Sequence, residues 1–211
     1  MKIAVIFLDY FRKQHSAEAL ESVNKGGYPF DLFIIQRRGI STALNEGLDN
    51  TTNYDAIITC ANDIVMPNNW LYEMVTYANA IPETGMCGIH CVEDKPNAIE
   101  RNGKMICPTF TAFGNVLIPR KAIDTIGYFN EDYDPYGMQD ADFAYRLNKT
   151  GFINYYIPHL SSNHIGHDVG QNTEYRRMKD EGLAIADEKW KKWTKHYDET
   201  QNYYLPKIQQ I

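Results

Sequence analysis

The chain has 211 residues, 44% of them hydrophobic and 23% charged, and a formal net charge of −6. That length carries one compact domain with a full core, or one domain with a short appendage, and the composition excludes disorder as the default state. The acidic balance argues against a broad nucleic-acid-binding face but leaves room for a local basic groove.

The chain starts with an apolar run, Ile3 to Leu8, closed by Asp9. It is too short for a signal-peptide core, and no stretch approaches the ~20 apolar residues of a membrane span. A first buried strand and a cytoplasmic location are the expectations. Ser16 to Val23 has helical spacing and Gly26-Gly27 stops it. Phe30 to Ile35 reads as a second buried strand, and Ser41 to Leu48 as a short helix with Ser41 as its cap. Asp55 to Thr59 is a third strand, broken by the polar turn Asn62-Asp63. Pro67 opens a helix over Asn68 to Ala80, where Trp70, Leu71, Met74 and Val75 form an apolar stripe.

Gly85 to Val92 reads as a fourth strand, Glu93 to Lys104 as a polar loop or hairpin, and Phe110 to Ile118 as β-like. The four cysteines (Cys60, Cys87, Cys91 and Cys107) lack zinc-knuckle spacing and read as free thiols, those near His90 included. A short helix over Pro119 to Ile126, a helix over Asp140 to Leu147 and a late strand over Ile153 to Ile157 follow. From Glu174 onward, Lys, Glu and Trp recur at helical spacing. Strands alternating with helices predict an α/β sheet, whose ligands bind beyond the carboxyl ends of the strands. Asp9, Asp63 and the polar Ser161–Asp168 stretch fall there.

Three segments carry candidate chemistry. In Thr59-Cys-Ala-Asn-Asp-Ile-Val-Met-Pro67, a carboxylate at a rigid strand end suits a divalent cation that also takes phosphate oxygens; helix capping is the alternative. In Tyr136-Gly-Met-Gln-Asp-Ala-Asp-Phe-Ala-Tyr-Arg-Leu147, Asp140 and Asp142 start an amphipathic helix, where the dipole favours the ionised form. Such a carboxylate can take a proton from an attacking hydroxyl, whereas a link to Arg146 at helical spacing fits Asp142. Ser161-Ser-Asn-His-Ile-Gly-His-Asp168 offers His164 or His167 as a nitrogen ligand.

The order of these segments resembles glycosyltransferase family 2 on the GT-A fold. The resemblance is carried by "ANDIVMPNNWL", by "FGNVLIPRKAIDTIGYFNEDYDPYGMQDADFAYRLNKTGF" and by "SSNHIGH". It implies a GT-A-like, Rossmann-related α/β domain over residues 1–170, with a mostly parallel sheet flanked by helices. Residues 171–211 would be a helical extension, packed on that domain, covering the acceptor side or mediating a homodimer. Asp63 would hold a divalent metal (Mn²⁺ or Mg²⁺), with His164 completing the site. Asp140 would be the catalytic base, with Asp142 and Tyr136 on the acceptor side and Tyr133 beside Tyr136 as a stacking platform. Asp9, Asn45 and Asn62 would meet the donor, with Arg37 and Arg38 on its diphosphate.

The reaction so implied is an inverting, metal-dependent transfer from a nucleotide-diphosphate sugar, UDP-linked in the first instance. The acceptor would be a hydroxyl on a glycan, a protein or a modified DNA base, and small size suits a phage-type enzyme in a host cytoplasm. Three departures from the family pattern stand out: the acidic metal triplet is thinned to Ala-Asn-Asp, Gln36-Arg37-Arg38 replaces the acidic end of the second strand, and the segment from that strand to the helix carrying Asn45 and Gly47 is shortened. The thinned triplet keeps in view a non-catalytic nucleotide- or carbohydrate-binding module. A nucleotidyltransferase is the other alternative, although it would want a glycine- and lysine-rich phosphate loop near the first strand, which Phe7–Lys13 does not supply.

Overall fold

The computed structural model describes residues 1–11, 13–91, 98–109 and 114–167, and, of the C-terminal segment, residues 182, 184 and 188–192. An eight-stranded mixed sheet forms the centre. Its strands are β1 (Ile3–Leu8), β2 (Asp31–Ile35), β3 (Ala56–Ala61), β5 (Thr84–His90), β6 (Ile99–Arg101), β7 (Lys104–Pro108), β8 (Asn115–Pro119) and β9 (Ile153–Ser161). They lie in the order β2-β1-β3-β8-β5-β9-β7-β6, and β7 and β8 run against the rest. Two short strands, β4 (Ile64–Val65) and β10 (Asn163–His164), pair with each other beside the main sheet.

Alternation along the strands feeds two cores, since successive side chains point to opposite faces. Val5, Phe7, Ile58 and Cys60 pack under α1 (Ser16–Val23) and α3 (Trp70–Ala80). Ala4, Ile6, Ile57 and Met86 pack under α2 (Ile40–Asp49), α4 (Arg120–Ile126) and α5 (Gln139–Lys149). Helices thus cover both faces, as the strand–helix alternation predicts. All four cysteines are free thiols, three of them buried.

Local expectations are corrected at several points. β2 is an edge strand with Leu32 and Ile34 exposed, not a buried one; an apolar run does not reveal which strand lacks a neighbour. Ser41 is not the cap of α2. The residue before that helix is Gly39, at φ +92, and the carboxylate of Asp134 takes the first-turn N–H groups of Ser41 and Thr42 at 2.8 and 2.9 Å. The polar stretch after β5 includes the β6–β7 hairpin, turned by Asn102 and Gly103, both at positive φ as tight hairpin turns require. Val92 to Asn97 and Phe110 to Phe113 lie outside the described residues, as do His167's side chain, Asp168, Trp193 and Lys195. No helix among the described residues is long and apolar enough to cross a membrane.

α2 approaches β1 closely at Gly47, where a Cβ would stand 2.6 Å from Ile6 Cγ2. Gly47→Ala gains about 1 kcal/mol of helix propensity but overpacks a core at a cost of roughly 1–3 kcal/mol. A net loss of about 1 kcal/mol is expected, read as a lowered urea midpoint with an unchanged slope; an unchanged midpoint would mean that Ile6 repacks freely.

Candidate functional site

β1 and β3 are parallel neighbours in the sheet. The chain leaves β1 toward α1 and then β2, on one side, and leaves β3 toward α3 and β5, on the other. Connections that diverge from adjacent parallel strands leave a crevice at their carboxyl ends. A cavity of about 320 Å³ lies there. Leu8, Tyr10, Phe11 and Arg37 wall it from the β1–β2 side together with Gly39, Ile40 and Ala43 of α2, and Ala61, Asn62 and Asp63 wall it after β3. Ile89 and His90 at the end of β5, Cys91 after it, Tyr156 of β9, Ile64, Gly114, His164 and Tyr136 form the rest of the wall.

Asp63 sits in the turn between β3 and β4. The β4–β10 ladder sets His164 opposite Ile64, and Ile165 N–H donates to the Asp63 carbonyl at 2.9 Å. The ladder brings His164 Nε2 to 3.1 Å from Asp63 Oδ2, across 101 residues of chain. Asp63 is only 9% exposed, so its carboxylate meets solvent chiefly through this cavity. These two predicted metal residues are brought together.

Asn62 is on the cavity wall, and its side-chain amide is engaged within the protein. Its amide donates to Asp9 Oδ1 at 3.1 Å, to Ser16 Oγ at 3.0 Å and to the Phe11 carbonyl. Asp9 also accepts from Ser16 Oγ and, on Oδ2, from Gln36 Nε2 at 2.8 Å. Burial pushes the Asp9 carboxyl up, but the hydrogen bonds from Ser16, Gln36 and Asn62 and the charge of Lys13 outweigh it and hold the group below its usual value. Both Asp9 oxygens are therefore engaged, and Asp9 is not part of the cavity wall. The donor contact expected of it is replaced by a tie between the loops after β1, β2 and β3.

Two further expectations change in the same way. Asn45 is buried, its amide donating to the Phe129 carbonyl and to Glu131 Oε1, both at 2.9 Å, and its carbonyl accepting from Phe129 N–H. It fixes α2 to the 129–131 turn and has no face toward the cavity. Asp142 is fully buried, and its Oδ2 takes Arg146 Nε at 3.0 Å and a terminal guanidinium nitrogen at 2.8 Å. That places Asp142 in the core, where no acceptor reaches it. Tyr133 is buried as well, whereas Tyr136 is on the cavity wall. Arg37 is on the wall with one guanidinium nitrogen 3.1 Å from Glu46, and Arg38 is exposed outside it.

Asp140 is half-buried in the first turn of α5, four residues after Tyr136, and does not itself line the cavity. The turn that starts α5 is held by Gln139, whose Oε1 accepts from Gly137 N–H at 2.8 Å. From the C-terminal segment, Trp190 stands edge-on to Tyr145 at 5.4 Å, and a Cβ on Gly182 would meet the Tyr136 carbonyl at 2.5 Å. His90, Cys91 and Tyr156 are cavity residues that the sequence reading did not assign. Their signal was available: the carboxyl end of β5 obeys the same rule that singled out Asp9 and Asp63. The T-shaped contact of His90 on Tyr156, at 4.5 Å, was not legible.

The family model for glycosyl transferase family 2 matches residues 1–183. Among solved structures, the chain is similar to a mannosyltransferase from Pyrobaculum calidifontis in complex with GDP-Man and Mn²⁺, at 16% identity and a TM-score of 0.63, over 80% of this chain and 58% of that one. It is also similar to S. aureus TarS in complex with UDP, at 13% identity and a TM-score of 0.59, over 77% and 59% of the two chains. The catalytic domain of Drosophila β1,4-galactosyltransferase 7, in complex with xylobiose, aligns at 16% identity and a TM-score of 0.59, over 84% and 74%. The chain thus spans less than two thirds of the length of the first two. No curated protein sequence matches it significantly. At such identities the likeness concerns the fold, and the fold is GT-A.

Proposed function

Because the chain belongs to glycosyl transferase family 2, we propose that it moves a sugar from a UDP-linked donor to an acceptor hydroxyl, inverting the anomeric carbon with the help of a divalent cation. The observation that carries this reading is the Asp63–His164 pair, 3.1 Å apart on the wall of the cavity at the ends of β1 and β3. Structures of this fold hold UDP in TarS and GDP-Man in the mannosyltransferase, and a panel of nucleotide-sugar donors separates the two bases.

The residues fit a cation of the Mn²⁺ or Mg²⁺ kind. Among the described residues no group of three or more His, Cys, Asp and Glu forms a protein-only metal cage. Such cations are commonly held by one or two carboxylates with phosphate oxygens and water completing the shell. Asp63 would supply the carboxylate, and the His164 imidazole beside it favours a transition metal such as Mn²⁺ over Mg²⁺. Bound there, the cation would neutralise the departing diphosphate.

The chain's own groups do the rest. Arg37 adds positive charge at the nucleotide end, and Tyr10 and Phe11 offer aromatic surface to the base. Tyr136 faces the sugar. Asp140 takes the proton of the acceptor hydroxyl as its oxygen bonds to the anomeric carbon and the bond to the diphosphate breaks. Two described residues of the C-terminal segment stand on this side, Gly182 at the Tyr136 carbonyl and Trp190 at the Tyr145 ring, which supports reading that segment as an appendage of the domain.

UDP with Mn²⁺ should raise the thermal midpoint of the protein, since a ligand at 100 times its dissociation constant adds about 2.7 kcal/mol. Excess EDTA, or Asp63→Ala, should remove most of the shift. An equal shift under all three conditions would remove the metal from the site.

A further inference from the structure

Asp134 joins two elements that wall the cavity from opposite parts of the chain. Its Oδ1 accepts from Ser41 N–H at 2.8 Å and its Oδ2 from Thr42 N–H at 2.9 Å, and Thr42 Oγ1 also donates to Oδ2. The next residue, Pro135, accepts from Ile40 N–H at 3.4 Å. All these donors belong to the first turn of α2, whose Gly39, Ile40 and Ala43 are on the cavity wall. Pro135 is followed directly by Tyr136, on the same wall, and then by the turn into α5 that carries Asp140.

The sequence accommodates this contact at both partners. Gly39 stands at φ +92, and a Cβ there would sit 2.6 Å from Asp134 Oδ2, so only glycine allows both the backbone and the approach. α2 has no capping side chain of its own; the capping carboxylate comes from 92 residues away. One consequence concerns phosphate. The N–H groups of Ser41 and Thr42 are spent on Asp134, so this helix end is not the diphosphate cradle, which leaves that role to Arg37 and the Asp63 side.

We propose that Asp134 is a positioning residue for the transfer reaction: by latching the 134–140 segment to α2 it fixes the distance between the donor wall and the Tyr136–Asp140 side. This rests on the glycosyl-transfer reading above. A displacement of about 1 Å in a reacting group lowers the rate by as much as roughly 100-fold, whereas loss of a cap alone affects stability and leaves chemistry in the surviving folded protein unchanged.

The test is Asp134→Asn, with Thr42→Val as a milder variant that keeps both backbone hydrogen bonds. In Asp134→Asn, kcat should fall at least roughly tenfold while the donor KM stays within about threefold. Amide exchange of residues 136–140 should speed up by a similar factor, with β1 and β3 unchanged. Thr42→Val should shift both readouts the same way by a smaller factor, and it decides the matter if the first variant does not fold. Wild-type kcat in a folded variant, or a loss confined to donor KM, would overturn the proposal. Unchanged exchange at 136–140 would overturn it even if the wild-type protein transferred no sugar, an outcome that would count separately against the transferase reading.

Discussion

Asp140→Asn is expected to keep the fold and nucleotide binding and to lose transfer by roughly 10²–10⁴-fold, the contribution of a positioned general base. The amide has the volume of the carboxylate, and losing the charge at the start of α5 costs only about 0.3–1 kcal/mol. Its first turn is held by Asp142 N–H on the Met138 carbonyl and by Gln139 on Gly137. What the amide lacks is the capacity to take a proton. UDP binding with Mn²⁺, measured by calorimetry, should match the wild type, because Asp140 does not line the cavity that holds Asp63 and His164. Near-normal product formation would remove Asp140 from the reaction.

Arg146→Met is expected to destabilise the fold by about 3–5 kcal/mol, the cost of breaking a buried ion pair from one side. Arg146 is 1% exposed and serves three partners: Asp142 Oδ2, the Ile126 carbonyl at 2.7 Å and the Tyr128 carbonyl at 2.8 Å. Methionine fills much of the space but orphans all three. The deficit should depend on pH. Burial pushes the Asp142 carboxyl up to about 6, even against the opposing pull of Arg146. The folded chain then holds that proton more tightly than the unfolded chain, whose carboxyl titrates near pH 4. Stability contributed by this group therefore falls as pH rises from about 4 to about 6. Without Arg146 the carboxyl is raised further, so the variant recovers more than the wild type on acidification. Urea titrations at pH 7 and pH 5 should show the gap narrowing at pH 5; a gap that widens would contradict the account.

The parts of this molecule that were legible in its sequence are those set by short-range patterning. Ile3–Leu8 read as a buried strand with its observed bounds, and Asp55–Thr59 read as the strand that the structure extends over Ala56–Ala61, because both are covered on both faces and so are nearly all apolar or small. The motif around Asp140 placed α5 within a residue of its observed start, since capping and amphipathic spacing are local. The apolar Phe30 to Ile35 misled on burial because its missing neighbour is a property of the sheet. The cap of α2 was assigned to Ser41 because no local rule finds a carboxylate 92 residues downstream.

The site shows the same division. A strand-end rule pointed to Asp63 and the family pattern to His164, and the structure sets their side chains 3.1 Å apart. What joins them, a two-residue ladder between Ile64–Val65 and Asn163–His164, is too short to carry a signal of its own. The pattern also picked out Asn45 and Asp142, and there it confused support with contact. Asn45 ties α2 to the turn at Phe129, and Asp142 neutralises Arg146 in the core. A position within a motif says that a residue matters to the arrangement; only the packing says whether it touches substrate.

The cavity at the ends of β1 and β3 is expected to perform metal-assisted glycosyl transfer. That expectation is tested most directly by incubating the protein with a panel of nucleotide-diphosphate sugars, with Mn²⁺ or with EDTA, and measuring release of free nucleoside diphosphate. The account predicts release from a UDP-linked donor that requires Mn²⁺ or Mg²⁺ and disappears in Asp63→Ala. Saturable nucleotide binding with no release from any donor would contradict it, and would make the chain a binding module on a GT-A fold.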